Sequence, residues 1–118
     1  SKIITKAKFF AEKAKSMNKY NIRAYYALAL VNMYSASASS KYKDSQDILV
    51  DAIEIYKSKL DSESEVKWGA DWCYALMITI QAINKDNKLH QVYYNEAISF
   101  FPNSEYIKNA NKKTRQSK

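Results

Sequence analysis

Few side chains in this sequence are arranged to do chemistry. There is one histidine, His90, and one cysteine, Cys73. A zinc or di-iron centre draws on several His, Cys, Asp or Glu donors at fixed spacing, and no such cluster occurs along the chain. Phosphate-binding loops use clustered glycines to bring backbone amides to the ligand, and Gly69 stands alone. Ser, Asp and Glu are plentiful, but no second activating group singles one out as a nucleophile or as an acid/base pair. Cys73 falls in the apolar run Trp72 to Ile83, so a buried and inert thiol is expected. His90 is expected to be a partly exposed helix residue. The pattern argues against an enzyme and against any metal or organic cofactor, and toward a chain that works by binding.

The elements that would position such a surface are helices. In 118 residues there is one glycine and one proline, Pro102, where average usage would give about eight and about six. Sheets need turn residues of these kinds, whereas helices are interrupted by them, so the chain is expected to be all-α. Its length suits one domain, 1–118, that buries a core without a disulfide or a metal. A single cysteine leaves the compartment open, with the cytoplasm favoured over export. The sequence begins at Ser1, which leaves room for a removed leader or an upstream domain. The longest apolar stretch, about 16 residues and interrupted by Asp71, is too short for a bilayer span.

Periodicity divides the chain further. Ile3, Ile4, Ala7, Phe10, Ala11, Ala14 and Met17 recur at helical spacing, which predicts an amphipathic first helix with its lysines on the wet side. Asn18 to Asn21 forms a polar break with capping chemistry. Ile22 to about Ala38 is apolar nearly all round, and Ser35 to Lys43 reads as a loop. A third helix, capped by Asp44 or Ser45, runs to about Leu60 with Ile48, Leu49, Ala52, Ile55 and Tyr56 on one face. After a polar turn at Asp61 to Ser64, with Ser62 or Ser64 as cap, a fourth helix from about Glu65 to Ala82 is again apolar nearly all round. The fifth runs from about Lys88 to Phe101, ahead of Pro102. Asn103 or Ser104 caps a last, polar helix, and the tail from Lys112 to Lys118 is expected to fray. Amphipathic and all-round-apolar helices therefore alternate, as stacked helical hairpins require.

The 34-residue window Asp71–Ser104 resembles a tetratricopeptide repeat. Tyr74 and Met77 stand where that family has Trp and Leu, Tyr94 and Ala97 match its second-helix aromatic and small residue, and Pro102-Asn103-Ser104 matches its repeat ending. Ile78, Gln81 and His90 depart from its Gly, Tyr and Ala. Upstream, Tyr25-x-x-Leu28-Ala29 and Ala52-x-x-x-Tyr56 carry the first- and second-helix signatures. The resemblance implies antiparallel hairpins stacked as a short right-handed solenoid of five to six helices. Its units would be a half repeat at 3–17, repeats at 21–60 and 65–102, and a capping helix at 103–114. It also implies that the first helix of each pair lines a concave groove for a peptide or a partner helix. Carried onto this chain, the groove residues are Arg23, Tyr26, Leu30, Met33 and Tyr34, with Trp72, Ala75, Thr79 and Ile83. Where the carboxylate-clamping members of the family have Lys and Asn, this chain has Tyr26, Leu30, Ala75 and Thr79, which disfavours a peptide held by its C-terminal carboxylate.

The expected function is that of a non-catalytic scaffold or adaptor module, with a protein or peptide as partner, or other parts of the same full-length chain. Two alternatives belong to other classes. The formal net charge is +7, distributed as +8 over residues 1–43, −5 over 44–71 and +4 over 72–118. The basic ends offer a surface for nucleic acid or an anionic membrane, but no recognised nucleic-acid motif accompanies them, and both partners are disfavoured. Self-association, as a homodimer, is the other alternative, because uncapped ends of a helical stack expose apolar surface.

Overall fold

A computed structural model describes residues 2–35, 42–61 and 68–116 of the chain. Six helices occur among them: α1 (Lys2–Met17), α2 (Ile22–Ser35), α3 (Lys43–Ser58), α4 (Ala70–Ile83), α5 (Asn87–Phe100) and α6 (Glu105–Gln116). No strand occurs among the described residues, so the all-α class expected from the scarcity of glycine and proline is what the chain adopts. The chain divides into two compact units, Ser1–Ala70 and Asp71–Lys118.

In the first unit α2 packs against both α1 and α3. The turn from α1 is built by two asparagines. Asn18 accepts from the Tyr20 amide through its side chain at 3.0 Å and from the Asn21 amide through its carbonyl at 3.0 Å. Asn21 then caps α2, its side-chain oxygen accepting from the Ala24 amide at 3.3 Å. The Tyr25 hydroxyl donates to the Lys19 carbonyl at 2.7 Å and ties the turn to the helix that follows it. The core holds Ala11, Ile22, Ala24, Tyr25, Leu28, Ala29, Leu49, Ala52, Ile53 and Tyr56. Four of these ten are alanines, which add little bulk where the helices meet.

Three local expectations fail in this unit. Of the apolar face expected on α1, only Ala11 is buried, Ile4, Ala7 and Ala14 are half-buried, and Ile3, Phe10 and Met17 are exposed. The apolar arc is wider than one helix contact can cover, and the part that meets α2 is the part with small residues. Neither Asp44 nor Ser45 caps α3. Tyr42 occupies that position in the left-handed region (φ 59), and the Ser45 hydroxyl is buried and donates to the Ala29 carbonyl at 2.8 Å. The fourth helix begins at Ala70 instead of near Glu65, because Trp68 and Gly69 form a turn. Gly69 has φ +91, and a Cβ on it would come within 2.8 Å of the Arg23 Cγ. Of the loop expected over Ser35 to Lys43, Ser35 is the last residue of α2 and Lys43 the first of α3, while residues 36–41, and the caps at Ser62 and Ser64, lie outside the described residues.

In the second unit the α4–α5 turn is closed at both ends. Lys85 is in the left-handed region (φ 59), its amide donates to the Ala82 carbonyl at 3.1 Å, and the Asp86 amide donates to the Gln81 carbonyl at 3.0 Å. This is the paired-bond termination that left-handed residues give to helices. Asp86 then caps α5, accepting from the Leu89 amide at 3.0 Å. The Tyr74 ring packs on Phe100 and Phe101, with centroids 6.3 and 6.1 Å away, and its hydroxyl donates to Glu96. Pro102 follows the end of α5, and Ser104 caps α6 by accepting from the Ile107 amide at 3.4 Å. Ala97, Ile107 and Ala110 are buried from α5 and α6. Helix α6 continues to Gln116, past the point at which the basic tail was expected to fray.

Two substitutions test these backbone assignments by urea unfolding. Gly69→Ala, which places a Cβ at positive φ against Arg23, is expected to lower stability by about 1–2 kcal/mol or more. Lys85→Gly, which removes a left-handed penalty from an exposed position, is expected to raise it by about 0.5–1 kcal/mol.

Candidate functional site

The two residues with most chemical potential are both held in packing. Cys73 is fully buried in α4. Burial first, and the nearby Asp71 carboxylate second, push its thiol up from 9.0 to about 12. At neutral pH almost none is thiolate, the form that attacks electrophiles and binds metals. His90, half-buried on α5, has its ring stacked near Tyr94, with the centroids 6.4 Å apart and the planes 12° from parallel. No group of three or more His, Cys, Asp or Glu among the described residues is placed to hold a metal ion.

The residues singled out for binding fall on two helices, one per unit. Along α2, Arg23, Tyr26, Leu30, Met33 and Tyr34 follow one another at helical spacing. Arg23 and Tyr34 are exposed and the other three half-buried. Of the fully buried residues of α2, Ala24, Tyr25, Leu28 and Ala29 fall outside the arc of this stripe, and Ile22, in the first turn, borders it. On α4, Trp72, Ala75 and Thr79 are half-buried and Ile83 is exposed. These four share one stripe, while Cys73, Tyr74, Leu76, Met77, Ile78, Ile80 and Gln81 are buried around the rest of the helix.

Each stripe gains an aromatic neighbour that the sequence reading did not include. Beside α2 it is Trp68. Expected inside the fourth helix, it lies instead in the turn before it, exposed, with the Arg23 guanidinium carbon 5.5 Å from its ring centroid. That geometry is a cation–π contact, and it holds the one charged member of the α2 stripe over an aromatic face. Beside α4 it is Tyr106 of α6, whose ring meets Trp72 edge to face at 5.8 Å. The signals were faint but present: Gly69 immediately after Trp68, and the Ser104 cap that fixes where Tyr106 emerges. Thr79 turns its hydroxyl back to the Ala75 carbonyl at 2.9 Å, which satisfies the polar atom on its own helix and leaves a methyl for the stripe. Both stripes are thus apolar and aromatic, with Arg23 as the only charged side chain among the named residues.

The state of Cys73 has two measurable consequences. A thiol reagent is expected to label it only as fast as the protein unfolds. A raised thiol value also means that the group stabilises the fold fully below about pH 9 and loses that contribution as pH rises toward 12, at up to about 1.4 kcal/mol per pH unit. Alkaline unfolding of Cys73→Ala is therefore expected to lack this part of the pH dependence.

No protein-family model, no curated protein and no solved structure matches the chain, so its function is read from its own residues.

Proposed function

We propose that this chain is a non-catalytic protein- or peptide-binding module of tetratricopeptide-like helical hairpins, acting as a scaffold or adaptor. The observation that carries this reading is the pair of stripes on α2 and α4, left wholly or partly accessible while the opposite sides of both helices are buried. Aromatic and arginine side chains of this kind anchor protein interfaces more often than their abundance predicts. Leaving them in contact with water forgoes burial free energy that a partner recovers.

The tetratricopeptide resemblance makes α2 and α4 the first helices of their pairs, and in that family the first helix of a pair carries the concave, ligand-binding side. On α2, Tyr26, Leu30, Met33 and Tyr34 would meet the apolar side chains of a ligand, and on α4, Trp72, Thr79 and Ile83 offer a surface of the same kind. Arg23, held over Trp68, would supply a polar contact at one end. Without lysine or asparagine in these stripes, the ligand is recognised by its apolar side chains and not by a terminal carboxylate. Catalysis is not part of this proposal, and the protonated Cys73 and the packed His90 agree with leaving it out.

Selection of a random peptide library on the immobilised chain tests this reading. The peptides recovered are expected to be rich in apolar and aromatic residues and to stay bound in about 1 M salt, where exposed charge pairs are screened. Tyr34→Ala and Ile83→Ser change exposed positions and so leave the fold intact. Each is expected to weaken binding by about fivefold or more. Failure to enrich any peptide, or enrichment of peptides indifferent to both substitutions, overturns the proposal.

A further inference from the structure

The strongest feature outside the two stripes is the outer face of α1. Four bulky apolar side chains stand in water there: Ile3 is 81% exposed, Phe9 59%, Phe10 58% and Met17 78%. The Phe9 and Phe10 rings touch edge to face at 5.7 Å, which makes one aromatic ridge of the pair. Helical geometry, at about 100° per residue, spreads these four over an arc of about 120° and sets Lys2, Lys6 and Lys13 within the same arc. All three lysines are exposed. The helix carries five lysines and one acid, Glu12, which falls outside the arc. Lys15, on the side facing α2, lies over the Tyr25 ring at 4.7 Å and is already engaged.

We propose that this face of α1 docks in the plane of an anionic lipid bilayer surface, with Phe9, Phe10, Ile3 and Met17 at the headgroup–acyl boundary and Lys2, Lys6 and Lys13 on lipid phosphates. A lipid interface accommodates apolar and cationic side chains interleaved on one arc, because lysine stems lie along the apolar zone while their ammonium groups reach back to the headgroups. A partner helix fits the pattern less well. It would need a narrow seam, and Phe9 lies about 100° from Phe10. Nucleic acid stacks on aromatic planes, and Ile3 and Met17 offer none. A second copy of α1 would set lysine against lysine. No helix among the described residues is long and apolar enough to cross a membrane, and α1 is about 24 Å long, so contact in the plane is the geometry open to it. The docking face is distinct from the stripes on α2 and α4 and does not depend on their function.

Co-sedimentation of the full chain with vesicles tests the proposal, using equal parts phosphatidylcholine and phosphatidylglycerol against phosphatidylcholine alone. Binding is expected to the mixed vesicles only and to decline as salt rises. The double variant Phe9→Ala/Phe10→Ala and the triple variant Lys2→Gln/Lys6→Gln/Lys13→Gln are each expected to lose about tenfold or more in affinity. Lys→Arg at the same three positions is expected to restore binding. All five side chains are exposed, and circular dichroism melting of each variant checks that its fold is kept. Absence of binding to the mixed vesicles at low salt overturns the proposal, and so does binding indifferent to loss of both phenylalanines. A single-stranded oligonucleotide that displaces the protein from vesicles assigns the lysines to nucleic acid instead. A salt-resistant dimer lost in Phe10→Ala assigns the ridge to a second copy.

Discussion

A chain with one glycine and one proline must bound most of its helices by other means, and the rest of the structure depends on how it does so. Side-chain oxygens do part of this work: Asn18 and Asn21 between α1 and α2, Asp86 before α5, and Ser104 before α6. Left-handed backbone does the remainder, at Tyr42, Lys85 and Gly69. Two of those three residues carry a side chain that resists the conformation. The surrounding bonds must hold them there, as the paired amides of Lys85 and Asp86 do at the end of α4. Helices that end within three or four residues of the next start pack against their sequence neighbours, and from this come the close contacts of α1 with α2 and of α5 with α6.

Most of this was legible in the sequence where the signal is local. The all-α class follows from the missing turn residues, and the break at Asn18–Asn21 and the Ser104 cap follow from side chains that can reach their own backbone. What could not be read was how one element chooses among several available partners. On α1, Ile3 and Phe10 are as apolar as Ile4 and Ala11, and periodicity alone puts them on one face. Contact with α2 selects the alanine side, because small residues allow the closer approach. Ser45 presents a similar case: its hydroxyl has two uses of comparable strength, capping α3 or bonding to α2, and the tertiary bond prevails. The apolar character of Trp68 predicts a helix there, whereas the positive φ of Gly69 ends that possibility one residue later.

For the stripes, legibility has a different origin. That α2 and α4 are apolar around most of their circumference was plain from composition, but composition does not say which side remains accessible. Tyr34 and Ile83 stand out from the bodies of their helices, while Leu28 and Ile80, equally hydrophobic, are enclosed. The aromatic neighbours Trp68 and Tyr106 come from segments distant in sequence and could be assigned only once the chain was folded. Their rings limit the conformations of Arg23 and Trp72, so part of the ordering that a ligand would otherwise impose is already in place.

The bond from Ser45 to the Ala29 carbonyl has a consequence for the register of the first unit. Ala24 and Ala29 of α2 and Ala52 of α3 are all buried. Alanine interlocks weakly, so these three positions add little of their own to hold one helix against sliding along the other. A slip by about half a helical turn, about 2.7 Å, would carry the Ser45 hydroxyl out of reach of the Ala29 carbonyl, and a buried hydroxyl without a partner costs about 1–3 kcal/mol. One polar atom thereby acts as a detent, adding a fixed stop to the resistance that the buried Leu28, Leu49 and Ile53 offer.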